Sequence, residues 1–157
     1  MRLEQKIAKL LIKHKHTLAV AESCTGGLLA DRLTNIPGSS AFFWLGIVAY
    51  DNAAKTKVLR VSPALLKKHG AVSAPVAKAM AQHVRQILNT HFGIGITGIA
   101  GPGGGTKIKP VGLTFIAVSN GQKTLVKKFC YTGTRISIKR QAAQQALTLL
   151  LTLTQKS

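Results

Sequence analysis

Acidic side chains are nearly absent from this 157-residue chain. Glu4, Glu22, Asp31 and Asp51 are the only four, against 22 lysines and arginines, for a formal net charge of +18. So large an excess calls for an anionic partner: nucleic acid, a membrane surface or a phosphorylated metabolite. Two further scarcities narrow that choice. Aromatic residues make up only 5% of the chain, and basic residues never run beyond pairs such as Lys67-Lys68, Lys127-Lys128 and Lys139-Arg140. A nucleic-acid surface needs clustered cations and stacking platforms, so nucleic acid is not the expected partner. Long apolar runs are missing too. Leu147 to Leu153 is broken by threonines and far shorter than a bilayer span, so no membrane segment is expected. With only Cys24 and Cys130, neither a disulfide scaffold nor a cysteine zinc site is indicated. Met1 leads into an amphipathic stretch rather than a signal peptide's apolar core, which makes the cytoplasm the default location.

What remains is enough for one globular domain spanning 1–157, with 46% apolar residues and no repeat or linker. Leu3, Ile7, Leu10 and Leu11 recur at a helical period over 3–15. A strand is expected at 17–22, with a helix from near Thr25. A long buried strand follows over 41–50, with Phe42-Phe43-Trp44 in the core. Short helices are expected over 52–58 and from Ser62-Pro63 to Gly70. A longer helix opens at Ser73, with Val76, Met80, Val84, Ile87 and Leu88 as its buried stripe. Gly93 to Thr97 reads as a strand. Val111 to Ser119 and Thr124 to Tyr131 form a hairpin around Asn120-Gly121, and a final helix starts near Thr134 with Ile138, Ala142, Ala146, Leu149 and Leu153 on one face. Interleaved helices and strands with one hairpin indicate an α/β sheet covered on both faces, mostly parallel with one antiparallel strand.

Three segments carry the chemistry-bearing residues. Ala21-Glu-Ser-Cys-Thr-Gly-Gly27 ends a strand and starts a helix, placing a hydroxyl and a thiol beside helix N-terminal N–H groups. A plain helix cap by Ser23 or Thr25 is the alternative there. Tyr50-Asp-Asn-Ala-Ala-Lys55 supplies a phenol, an amide and an ammonium at the next strand's end, unless Asp51 simply caps a solvated helix. Gly98 to Thr106 is a glycine-rich loop whose backbone can approach a ligand closely. It is neither a Walker A loop nor a dinucleotide fingerprint, because Thr106 precedes Lys107 and no helix clearly opens at Gly101. Open α/β sheets bind ligands outside the carboxyl ends of their strands, so the three segments are expected to converge.

Together with Gly70-Ala-Val-Ser73 and Lys109-Pro-Val-Gly112, these segments resemble the CinA C-terminal domain family, the nicotinamide-nucleotide amidases. The resemblance runs from about Leu3 into the final helix and matches the stand-alone form, without the extra N-terminal domain of larger members. It implies a three-layer α/β/α sandwich on a five-stranded mixed sheet. It also implies hydrolysis of nicotinamide mononucleotide to nicotinate mononucleotide and ammonia by a serine–lysine pair, without metal or other cofactor. Ser23 matches the family serine, Lys55 the lysine and Arg140 a basic position near the start of the last helix. A homo-oligomer, dimer or higher, is expected.

An amide needs an activated nucleophile and a site for the oxyanion. Lys55 has to be neutral to accept the Ser23 proton. Lowering a lysine pKa of about 10.4 by roughly three units costs about 4 kcal/mol. N–H groups around Thr25, Gly26 and Gly27 are expected to form the oxyanion hole, with Tyr50, Asn52 and Glu22 orienting the substrate. Glu22 can alternatively be a structural partner for a cation. Gly101, Gly103, Gly104, Gly105 and Thr106, with Lys109 or Arg140, are expected to hold phosphate or ribose. None of the five histidines falls in the convergent segments; His83 and His91 read as helical, and His69 is held as a reserve base. Ser23 is preferred over Cys24 as nucleophile, chiefly on the resemblance. The alternative is a non-catalytic protein that binds a phosphorylated nucleotide or nucleic acid.

Overall fold

A computed structural model describes residues 1–155. Five strands form one mixed sheet: β1 (Leu18–Glu22), β2 (Phe43–Val48), β3 (Phe92–Gly98), β4 (Leu113–Ser119) and β5 (Thr124–Cys130), in the order β2-β1-β3-β4-β5. β1 pairs parallel with both β2 and β3, while β4 runs antiparallel to β3 and β5. The single reversed strand is therefore β4, as the Asn120-Gly121 hairpin requires. Helices α1 (Leu3–His14), α2 (Leu28–Thr34) and α6 (Arg135–Thr154) cover one face. Helices α3 (Asn52–Lys57), α4 (Pro63–His69) and α5 (Ala74–Ile87) cover the other. No helix among the described residues is long and apolar enough to cross a membrane.

Central strands are buried almost throughout because both of their faces are covered. Leu18 and Val20 of β1 join the core under α6, while Ala19 and Ala21 face α5. In β3, Phe92, Ile94 and Ile96 take the α6 side, and glycines occupy the other. A Cβ on Gly93 would stand 2.2 Å from the Ala81 carbonyl oxygen, and one on Gly95 2.4 Å from that of Ala77. The bare positions let α5 settle backbone-to-backbone on β3, with Ala77 and Ala81 as its contact residues.

Several expectations are corrected. The 41–50 run is not one long buried strand. A single 3-10 turn occupies Ser39–Ala41, and β2 is a short edge strand. Only Phe42 of the aromatic trio is fully buried, whereas Trp44 is 52% exposed, because an edge strand has a neighbour on one side only. The helix expected near Thr25 begins at Leu28, since Gly26 and Gly27 adopt left-handed φ values of 61° and 98° and extend the turn. Ile87 and Leu88 lie outside the buried stripe because α5 ends there. His91 is not helical: it precedes β3, and its Nδ1 accepts from the Thr17 N–H at 3.1 Å.

Candidate active site

The order β2-β1-β3 sets three carboxyl ends side by side, and the residues following them meet in a cleft of about 230 Å³. Ser23 and Cys24 come from the end of β1, Tyr50, Asn52 and Lys55 from the end of β2 and α3, and Gly98 from β3. The expected convergence of Ser23, Lys55, Tyr50 and Asn52 is present in the geometry.

Lys55 is 1% exposed, an uncommon state for a lysine. Its Nζ lies 2.9 Å from Ser23 Oγ, 2.8 Å from the Ala49 carbonyl oxygen and 3.1 Å from that of Tyr50. Among the described residues no carboxylate is bonded to it. Three neighbours also satisfy a neutral amine, with two N–H groups on the carbonyls and the lone pair facing the serine hydroxyl. Burial lowers the Lys55 pKa from its ordinary value, opposed by Cys24 and Asp51. Asp51 itself caps α3 by accepting from the Ala53 N–H at 2.8 Å.

Cys24 is buried beside Ser23, and burial pushes its thiol up to about 11. The thiol is therefore protonated at neutral pH and a poor nucleophile. Its Sγ packs on β3, where a Cβ on Gly98 would come within 3.1 Å of it and 2.7 Å of Thr114 Oγ1.

Glu22 does not reach toward the cleft. It is 1% exposed, and its carboxylate accepts from the Leu29 and Ala30 N–H groups at 2.8 and 3.0 Å. It thus closes the N-terminus of α2, which removes the open helix end expected for an oxyanion. The Gly26 N–H is also engaged, on the Ser23 carbonyl at 3.0 Å, and the Ser23 N–H donates to Ile96 at 3.1 Å. Thr25 is fully buried, and its Oγ1 has no partner among the described residues. Of the turn's N–H groups, those of Cys24, Thr25 and Gly27 remain without an acceptor among the described residues.

The glycine-rich loop contributes less than expected. Ala100 lines the cleft, but Gly101, Gly103, Gly104, Gly105 and Thr106 do not. Gly103 faces open space, and the loop's tip closes on itself through the Thr106 N–H on the Lys109 carbonyl at 2.7 Å. Lys109 Nζ is spent on the His69 carbonyl at 2.5 Å, tying this loop to the end of α4. Neither Lys109 nor His69 lines the cleft. Ala71 and Val72 do, held there by Thr97 Oγ1 donating to the Ala71 carbonyl and Ser73 Oγ to that of Gly70.

Arg140 is displaced from the site. It lines a separate groove with Leu28, Arg32, Gln141 and Gln144 between α2 and α6. Arg135 takes the place expected for it. One Nη donates to the Gly101 carbonyl at 2.5 Å and the other to Tyr50 Oη at 2.8 Å, bridging the glycine loop to the β2 end. Lys139 lies one turn further along α6, and its Nζ would be 3.5 Å from a Cβ on Gly26. Their i, i+4 spacing at the start of a capped helix was the available signal for this pair. Among the described residues, no group of three or more His, Cys, Asp or Glu side chains is placed to hold a metal ion.

Comparison with known proteins places the fold in a family. The family model described as the CinA C-terminal domain matches residues 1–154. A CinA-like protein of Acidobacterium capsulatum is 51% identical over 148 residues, and a putative competence-damage inducible protein of Moorella thermoacetica is 53% identical over the same length. Each match covers 94% of this chain but 36% of the relative, so the chain spans about a third of the length of the curated relatives it matches. Among solved structures, a CinA superfamily protein of Klebsiella pneumoniae superposes with a TM-score of 0.95 at 30% identity, covering 99% of this chain and 97% of that one. A competence/damage inducible protein of Agrobacterium tumefaciens gives 0.91 at 36% identity, covering 98% and 96%. The chain belongs to the CinA C-terminal domain family.

Proposed function

We propose that the chain is an amidase that hydrolyses the carboxamide of nicotinamide mononucleotide, with Ser23 as nucleophile and Lys55 as base. The observation that carries this reading is the 2.9 Å approach of a buried lysine amine, bonded to no carboxylate among the described residues, to a serine hydroxyl in a cleft. Ser23 Oγ attacks the carboxamide carbon while its proton passes to Lys55 Nζ. The protonated amine then delivers that proton to the departing nitrogen, ammonia leaves and an acyl-serine ester remains. Water, deprotonated by the same amine, attacks the ester, and the ammonium so formed returns the proton to Ser23 Oγ as the carboxylate is released. The N–H groups of Cys24 and Thr25, next in the chain after the nucleophile, are the assigned oxyanion donors. Arg135 and Lys139 supply the positive charge for the nucleotide's phosphate.

The test is ammonia release from nicotinamide mononucleotide by the purified protein, with nicotinamide and its riboside as controls. Ser23→Ala is expected to lower kcat by about a thousandfold or more. Cys24→Ala is expected to leave kcat within a few-fold. Tight nucleotide binding without ammonia release would replace the amidase reading with a binding function.

A further inference from the structure

On the other side of α3 from the Ser23 cleft, a second cavity of about 580 Å³ opens between the α3 end and α5 at the β2 edge. Its apolar part includes Val58 and Ile87, which are 50% and 47% exposed. Lys57, Arg60, His83 and Gln86 supply its polar part. No Asp or Glu lines it, and all four acidic side chains of the chain are committed elsewhere. Glu4 pairs with Arg32, Glu22 caps α2, Asp31 accepts from Asn35 and Asp51 caps α3. The cations here therefore lack the carboxylate that would neutralise them.

The turn that presents them is fixed. Val58 N–H donates to the Ala54 carbonyl at 3.0 Å and Val61 N–H to that of Lys55 at 3.0 Å, which ties the segment after α3 back to its last turn. His83 Nδ1 lies 2.7 Å from the Leu59 carbonyl oxygen, so this nitrogen carries the proton and Nε2 is left for another contact. Arg60, two residues past the Val58 C-cap, has a left-handed φ of 55°. Glycine fills such a position at lower conformational cost than any side chain. Arg60 sets its guanidinium beside an apolar hollow whose lining holds no carboxylate.

We propose that this cavity is a binding site for a small amphipathic anion, a phosphoryl or carboxylate group carried on an apolar or aromatic body. Arg60 and Lys57 hold the anion, His83 and Gln86 add hydrogen bonds, and Val58 and Ile87 pack on the body. The volume suits a small molecule. A second copy of this chain is disfavoured, since its own excess charge would meet the same cations.

The site is independent of the amidase reading and is tested without turnover. Phenyl phosphate is titrated into the isotope-labelled chain, and the resonances of Val58, Ile87 and His83 are followed. Saturable shifts at these residues are expected, with inorganic phosphate about tenfold weaker because it buries no ring. Arg60→Gly is the decisive variant, because it relieves the left-handed position while deleting the guanidinium. Its melting temperature is expected to be unchanged or higher, with phenyl phosphate bound at least tenfold more weakly. Lys57→Ala is expected to weaken binding in the same direction, whereas Arg135→Ala at the other cleft leaves it unaltered. Shifts confined to residues around Ser23, non-saturable shifts, or undiminished binding by Arg60→Gly would overturn the proposal.

Discussion

At the scale of single residues, Lys55 decides how the cleft behaves with pH. Its pKa lies below the ordinary lysine value because burial disfavours the ammonium. The amidase rate is therefore expected to rise with pH along one protonation step whose midpoint falls below about 10.4, the value for a free lysine. The same shift acts on stability. Between the lowered folded pKa and the unfolded one, the unfolded chain binds more protons, so stability rises with pH across that window. Lys55→Met is expected to abolish activity and to flatten that rise, as read by denaturant unfolding from neutral to alkaline pH. A wild-type slope retained in the variant would show that Lys55 is not its source. Arg135 offers a second comparison at this scale. Arg135→Ala removes the bridge between Gly101 and Tyr50 and is expected to raise KM about tenfold or more. Arg140→Ala is expected to leave KM nearly unchanged, because that side chain lies in the α2–α6 groove.

Ser23, Lys55, Tyr50 and Asn52 were legible in the sequence because each sits just past a readable strand end, and strand ends of a parallel sheet converge. Arg140 was misplaced for a reason of helical phase. Arg135 and Lys139 are four apart and share a face, while Arg140 is turned a further 100° about the axis. The buried stripe through Ile138 and Ala142 was read correctly, but not the direction of the cations flanking it. Nor could Glu22 be read as the cap of α2. That role depends on the chain doubling back through two left-handed glycines, which sets residue 22 against residues 29 and 30.

Elements make the Ser23 turn a shared structure rather than a loop. Its first residue is pinned to β3 by the Ser23 N–H on Ile96, and its last leads into α2, whose end Glu22 closes from β1. Glu22→Ala is therefore expected to cost about 1–2 kcal/mol of stability, since two buried N–H groups lose their acceptor. Glu22→Gln keeps one acceptor oxygen and is expected to lose about half as much. Because Glu22 touches α2 rather than the cleft, kcat should fall further than substrate affinity in both variants, which separates misplacement of Ser23 from lost binding. A change in KM alone would assign Glu22 to the substrate instead. The same view explains the misreading of 41–50. Composition marks a segment as apolar, whereas position in the sheet decides whether both faces are covered, and β2 was assigned an interior place it does not hold.

For the whole molecule, the governing quantity is the charge of +18, since every acidic side chain is absorbed in a cap or a local contact. No Asp or Glu side chain is left to offset the lysines and arginines, so the folded chain repels itself while attracting anions. Salt weakens both, so it acts with opposite sign on stability and on substrate capture. Screening reaches roughly 10 Å at 0.1 M salt and shortens as salt rises, which weakens repulsion among exposed cations and attraction toward a nucleotide alike. Raising sodium chloride from about 20 mM to about 0.5 M is therefore expected to increase the melting temperature. Over the same range kcat/KM for nicotinamide mononucleotide should fall several-fold, while any residual turnover of uncharged nicotinamide riboside analogues lacking the ring charge should not. The paired measurement distinguishes a field effect from a local one. If charge merely sits on the surface, stability moves and kcat/KM does not. If the cleft draws its substrate through that field, the two move together and in opposite senses.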